Sequence, residues 1–327
     1  MKVRIVIGSS LIAVVLVIAN LFPSHAQNTG PGDPPLSNPL KVALLKWYKA
    51  NTATRFAVGK QPYAIAFDGA NIWVANYGSD TVSKLRANDG AVLGTFSVGA
   101  SPLGLVFDGA NIWVTNSGAG TITKLRASDG QTLGTFSVGP VPFWPAFDGA
   151  NIWVTAAPSQ GNGTVTKLRA RDSKNLGSFT VGSGPTAVAF DGSSIWVTNN
   201  GSANVTKLRA SDGVVLGTFN VGSNPLGIAF DGASIWVANR GDGTASKLRA
   251  SDGMLLGTFP VSFGPYGVAF DGVDVIFTDD LGDVTALRPR DGARLGNINL
   301  GIATTGIAFD GVNVWVSQLN KDFVGKL

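Results

Sequence analysis

The chain has 327 residues, with 25 Lys and Arg against 21 acids, and no Cys. The missing thiols exclude a disulfide framework and any thiolate metal site. Every acid is Asp, none is Glu, and 43 residues are Gly, a composition of strands and turns with little helix.

Residues 1–26 read as a secretory signal peptide. Lys2 and Arg4 form the charged end, an apolar run follows, and Ser24-His25-Ala26 offers a small-x-small cleavage site. An uncleaved anchor is the alternative, because the apolar run is nearly long enough to span a bilayer. Cleavage removes His25, the only His, and leaves 23 basic against 21 acidic side chains. So small an excess gives no argument for a polyanionic partner. Residues 27–51 follow as a Pro/Gly-rich spacer and a short helix over 39–50, with Leu40, Ala43, Leu44, Trp47 and Tyr48 on one face. No span is expected once the signal is removed. The location implied is secreted or periplasmic.

From residue 52 to 327 the chain repeats. Phe-Asp-Gly occurs with Phe at 67, 107, 147, 190, 230, 270 and 309, spaced by 40, 40, 43, 40, 40 and 39 residues. A period of this size marks stacked supersecondary units. Each unit holds four short strand-like runs separated by tight turns, so neighbouring strands pair antiparallel. Seven such units predict an all-β, seven-bladed β-propeller. The run TRFAVG at 54–59 copies a fourth strand, and the chain stops inside the third strand of its last unit. The N-terminal strand is therefore expected to complete the C-terminal blade and close the ring, giving a monomer.

Trp73, Trp113, Trp153, Trp196, Trp236 and Trp315 recur in the second strand, with Ile276 in the sixth unit. They are expected to wedge between blades, and the fourth-strand Phe at 56, 96, 136, 179, 219 and 259 to pack likewise. Two sets of turn Asp, in Phe-Asp-Gly and in Ala-Ser-Asp-Gly, read as backbone caps. The repeated Lys-Leu-Arg supplies Lys84, Lys124, Lys167, Lys207, Lys247 and Lys326. With the neighbouring Arg, these lysines are expected to form a solvated salt-bridge belt rather than a nucleic-acid surface.

Turns alternate between two faces of the ring. One face carries the near-invariant turns. The other carries loops that vary, and function tends to sit where loops vary on a rigid scaffold. Two units depart most. The third has Phe143-Trp144-Pro145, and Pro145 forces an irregular inner strand that lets Trp144 project into the channel. The sixth has Asp279, Asp280 and Asp283, with Asp242, Arg240 and Lys321 in adjacent loops. Tyr63, Tyr77 and Tyr266 add aromatic contact. This face would suit a protein, peptide or carbohydrate ligand. The acidic loop offers a weak Ca²⁺ or Mg²⁺ site, its spacing matching no complete calcium loop. No catalytic constellation stands out, and no cofactor is called for.

The signature Ile-Trp-Val-Thr-Asn, Thr-Lys-Leu-Arg-Ala-Ser-Asp-Gly and Leu-Gly-Thr-Phe-x-Val-Gly, clear over 112–139, resembles the YVTN-type β-propeller repeat. That resemblance implies an exported binding or assembly module. The Phe-Asp-Gly-x-x-Ile-Trp-Val-Thr segments are also similar to streptogramin (virginiamycin B) lyases, which implies a metal-dependent lyase with a His base and Glu residues. Neither residue type occurs after His25, so none of those positions carries over. The expectation is an exported, non-catalytic binding scaffold. A lyase using the Asp cluster and a polyanion-binding propeller are the alternatives.

Overall fold

The computed structural model describes residues 54–327; the signal peptide, spacer and short helix expected before them lie outside the described residues. The described chain forms seven antiparallel four-stranded sheets and one short 3₁₀ turn at Asn200–Ser202. Blades 1–6 occupy 62–97, 102–137, 146–183, 185–220, 225–260 and 265–299, each a meander in chain order. Blade 7 takes three strands from 304–326 and its fourth, Thr54–Ala57, from the other end of the described chain. Thr54 pairs with Lys326 and Ala57 with Phe323. The ring closes as the sequence predicts. Among the described residues no helix is long and apolar enough to cross a membrane.

The second-strand tryptophans are fully buried, and each sits in a box of four contacts. Trp73 packs on Ile112, Val114 and Leu125 of the next blade. Its indole Nε1 donates to Asp68 Oδ2 at 2.7 Å. The Phe96 ring lies 5.6 Å away, and the Lys84 ammonium stands 5.0 Å over its face. All six Trp donate to the Asp five residues before them, at 2.7–2.8 Å. The turn Asp therefore caps backbone, as expected, and also satisfies the one polar atom of a buried indole. Burial pushes the Asp68 carboxyl up, but the hydrogen bonds from Trp73, Ala70 and Asn71 outweigh it and leave the group below its ordinary value.

The lysines correct the sequence reading. They are not a solvated belt: Lys84, Lys124, Lys167 and Lys207 are only 6–7% exposed. Each of the six reaches across the seam and donates to a main-chain carbonyl of the next blade, at 2.5–2.9 Å. Each ammonium also stands 4.9–5.4 Å from its own blade's Trp ring. The strand is buried on both faces, so a long side chain there has a seam to lie in and carbonyls to reach. Only the arginines remain at the surface, paired with Asp three residues on, as in Arg86–Asp89 at 2.9 Å.

The fourth-strand Phe are half-buried and lie over the glycine that ends the next blade's Ala-Ser-Asp-Gly turn. A Cβ on Gly130, whose φ is +76°, would fall 2.0 Å from the Phe96 ring. Blade 3 has Ser173 at this place, and there Phe136 stands 6.1 Å from Trp113 instead of 5.6 Å.

Blade 6 is the exception. It has Ile276 for Trp and Ala286 for Lys, so both seam fasteners toward blade 7 are missing. Six apolar clusters, each spanning two neighbouring blades, join the ring; among the described residues none joins blades 6 and 7.

Candidate functional site

Blade 3 builds the centre of the variable face. Pro145 has no N–H to give, and the inner strand is cut to Ala146–Phe147. The residue before it, Trp144, pairs sideways instead. Its N–H donates to Thr186 O of blade 4 at 3.1 Å, in a parallel bridge with Ala187. That turn sends the indole into the channel. It packs against the apolar cluster of blades 1 and 2 and that of blades 4 and 5, and lines one cavity with Ala64, Leu105, Ala187 and Ile228.

Across the channel it meets Tyr266 of blade 6 edge-on, with centroids 5.4 Å apart and planes at 80°. The array continues from Tyr266 to Tyr63 at 6.4 Å and on to Tyr77 at 5.3 Å. Phe143 flanks Trp144 at 6.2 Å. Five of the residues picked from sequence thus form one aromatic plug at the mouth of the channel. Below it is a cavity of about 180 Å³ lined by the inner strands.

The hydroxyls of Tyr266 and Tyr63 are held neutral. Burial raises Tyr266 well above the ordinary phenol range, and the neighbouring Tyr63 adds to this. Burial also raises Tyr63, opposed in part by the neighbouring Tyr266. Both are then donors and acceptors at neutral pH, and neither is a ready base.

Beside the plug, Arg240 Nε bridges Asp280 at 2.9 Å, near enough to act on both tyrosines. The pair lines a cleft of about 710 Å³ between blades 5 and 6, together with Asp242, Asn224, Ser262 and Phe263. Asp242 accepts from Ser223 N at 2.7 Å and from the Ser223 hydroxyl. Phe263 is 72% exposed, the most open aromatic of this rim. The sequence marked its loop as variable but not the residue; an aromatic in a Ser-x-Gly-Pro turn was the available signal.

The acidic loop does not converge. Asp279 turns inward, fully buried, and its Oδ1 accepts from Leu281 N and Asp283 N at 2.9 and 2.7 Å. Its Oδ2 lies by the Ser262 hydroxyl without a hydrogen bond of standard geometry, and burial raises its carboxyl. Asp280 is taken by Arg240. Asp283 Oδ1 accepts from Asn299 Nδ2 at 2.7 Å and Asn297 Nδ2 at 3.2 Å. Among the described residues no three acidic side chains gather as a metal-binding group. Lys321 stays exposed on the blade 7 loop, outside the cleft.

No family model matches the chain, and no curated protein matches it in sequence. Solved structures do match. A catalytically inactive virginiamycin B lyase from Staphylococcus aureus with quinupristin aligns with TM-score 0.72 and 20% identity, over 84% of this chain and 98% of that one. A streptogramin B lyase gives 0.70 and 18%, over 84% and 96%. Hydrazine synthase of Kuenenia stuttgartiensis gives 0.71 and 17%, over 85% and 97%. The chain has the seven-bladed propeller fold of the streptogramin lyases, consistent with the YVTN-type repeat read in its sequence.

Proposed function

We propose that this protein is an exported, non-catalytic binding module whose variable face captures a protein, peptide or carbohydrate ligand. The observation that carries this reading is the aromatic plug of Trp144, Tyr266, Tyr63 and Tyr77, with the Arg240–Asp280 bridge and an open cleft beside it. Aromatic faces next to a few fixed polar groups are the usual make-up of a recognition surface. Export rests on the leader at 1–26.

The residues themselves speak against the lyase alternative. The described chain has neither His nor Glu, and the acids of the site are engaged in pairing and capping. The polyanion alternative loses its six lysines to the seams.

The test is to screen the wild type and a Trp144→Ala/Asp280→Ala variant on peptide and glycan arrays. Circular dichroism checks that the variant keeps its fold. Hits that vanish in the folded variant support the site; hits that all persist overturn it.

A further inference from the structure

We propose that the cleft between blades 5 and 6 takes a neutral sugar, one ring lying flat on Phe263 with adjacent hydroxyls on Arg240, Asp280 and Asn224. This rests on the reading of the variable face as a binding surface, and narrows its ligand from three classes to one.

Phe263 stands where other links between blades have Lys60, Ala100, Ser183, Ser223 or Ile302. It is 72% exposed, and no ring or cation among the described residues packs on it. The next residue, Gly264, has φ +68°, and a Cβ there would strike Asp280 Oδ2. Asp280 N donates to Gly264 O at 3.3 Å. The loop that carries the ring therefore lies directly against the Asp280 carboxylate.

The polar groups of the cleft are fixed but partly unspent. Arg240 Nε donates to Asp280 Oδ2 at 2.9 Å. The Arg240 Nη groups, Asp280 Oδ1 and the Asn224 carboxamide have no hydrogen-bond partner among the described residues. Arg240 N donates to Asn224 O at 3.1 Å, which ties their two loops together. Asp242 pins the residue before Asn224, accepting from Ser223 N at 2.7 Å and from the Ser223 hydroxyl. Donors, acceptors and a carboxamide that is both thus share one cleft with an open aromatic face.

Charge and shape select the ligand. Arg240 and Asp280 cancel, and Asp242 spends both oxygens on Ser223. No uncompensated cation lines the cleft to hold a phosphate or carboxylate. Beyond Phe263 the lining is three glycines, Asn224, Ser262, a buried Val261 and Pro260, so a hydrophobic peptide anchor finds no walled pocket. A pyranose is the complement. One face of C–H groups rests on an aromatic ring, and its rim of adjacent hydroxyls both donates and accepts, matching a paired arginine and carboxylate. A volume of about 710 Å³ is within the range of small-molecule sites.

An array of neutral and acidic oligosaccharides beside one of peptides tests this, with each hit titrated free in solution by calorimetry. Wild type should bind neutral glycans, with an affinity indifferent to salt because no charges are paired across the contact. Phe263→Ala should weaken binding about tenfold or more. Phe263→Leu, apolar but not flat, should do the same, and Phe263→Tyr should restore it. Circular dichroism should be unchanged in all three. An absence of neutral-glycan hits overturns the proposal, as do neutral-glycan hits that survive Phe263→Ala or Phe263→Leu. Hits confined to peptides or acidic glycans, and lost in Trp144→Ala/Asp280→Ala, overturn the sugar and leave the binding module standing.

Discussion

Lys124→Met separates a seam staple from a surface charge. Lys124 Nζ donates to Ala170 O of blade 3 at 2.7 Å and stands 4.9 Å from the Trp113 ring, with only 7% of the residue exposed. Methionine fills the same slot with similar length but leaves Ala170 O without that donor. An orphaned buried acceptor costs about 1–3 kcal/mol. Losing the desolvated cation–π contact adds about 1–2 kcal/mol. Relief from burying an ammonium group offsets part of this, so the net loss should be about 1–3 kcal/mol. Arg126 is the control, two residues along the same strand. Its bridge to Asp129 at 2.9 Å is 44% and 51% exposed, and Arg126→Met should cost less than about 1 kcal/mol. Urea unfolding followed by tryptophan fluorescence gives both midpoints. Salt provides a second axis: raising it should erode the Arg126 contribution and leave the Lys124 one, which joins a charge to a carbonyl rather than to another charge. A Lys124→Met loss no larger than that of Arg126→Met would refute the staple and restore the solvated belt.

Other outcomes follow from the same packing. Gly130→Ala places a Cβ 2.0 Å from Phe96 at φ +76° and should cost more than about 2 kcal/mol, whereas Gly109→Ala, at φ +96° with open space, should cost about 1 kcal/mol of backbone strain alone; their urea midpoints decide. A chain shortened to begin at Val58 loses the strand Thr54–Ala57 and exposes the edge of blade 7, so it should aggregate on size-exclusion chromatography where one beginning at Asn51 elutes as a monomer. Asp108→Ala orphans Trp113 Nε1 and three further donors from Ala110 and Asn111, and should cost about 2–4 kcal/mol by thermal or urea unfolding.

The ring was legible because it is written seven times: spacing, strand runs and the complementary ends all point one way, and Thr54 does pair with Lys326. The candidate site was picked out for the converse reason. Pro145 and the Asp279–Asp283 loop break the repeat, and the aromatic plug and the Arg240–Asp280 bridge stand at those breaks. The lysines were misread because charge was weighed without its strand. Val82, Lys84 and Arg86 share one face of a strand buried on both sides, so the middle one is carried into the seam and only the last reaches water. The indole-to-Asp bond was missed because both residues already had a sufficient role alone. The convergence of three carboxylates was an effect of adjacency in sequence; successive side chains around a turn face different partners, and Asp279, Asp280 and Asp283 do so here.

Blades 3 and 6, the two that depart from the repeat, are also the two that meet over the channel, through Trp144 and Tyr266. Each gave up part of its own fastening to reach there or to vary its loops. Blade 3 surrendered most of its inner strand, and blade 6 its Trp wedge and Lys staple. In an open array such losses would split the stack at the weak junction, because each unit leans only on its neighbours. In a closed ring the two sides of a weak junction remain tied through the other six, each with its own apolar cluster. Closure by Thr54–Ala57 is therefore what lets this chain relax two blades and still hold one fold. The same reasoning places the lowest-energy opening of the molecule at the blade 6–7 seam, next to the rim that carries Tyr266 and Asp280.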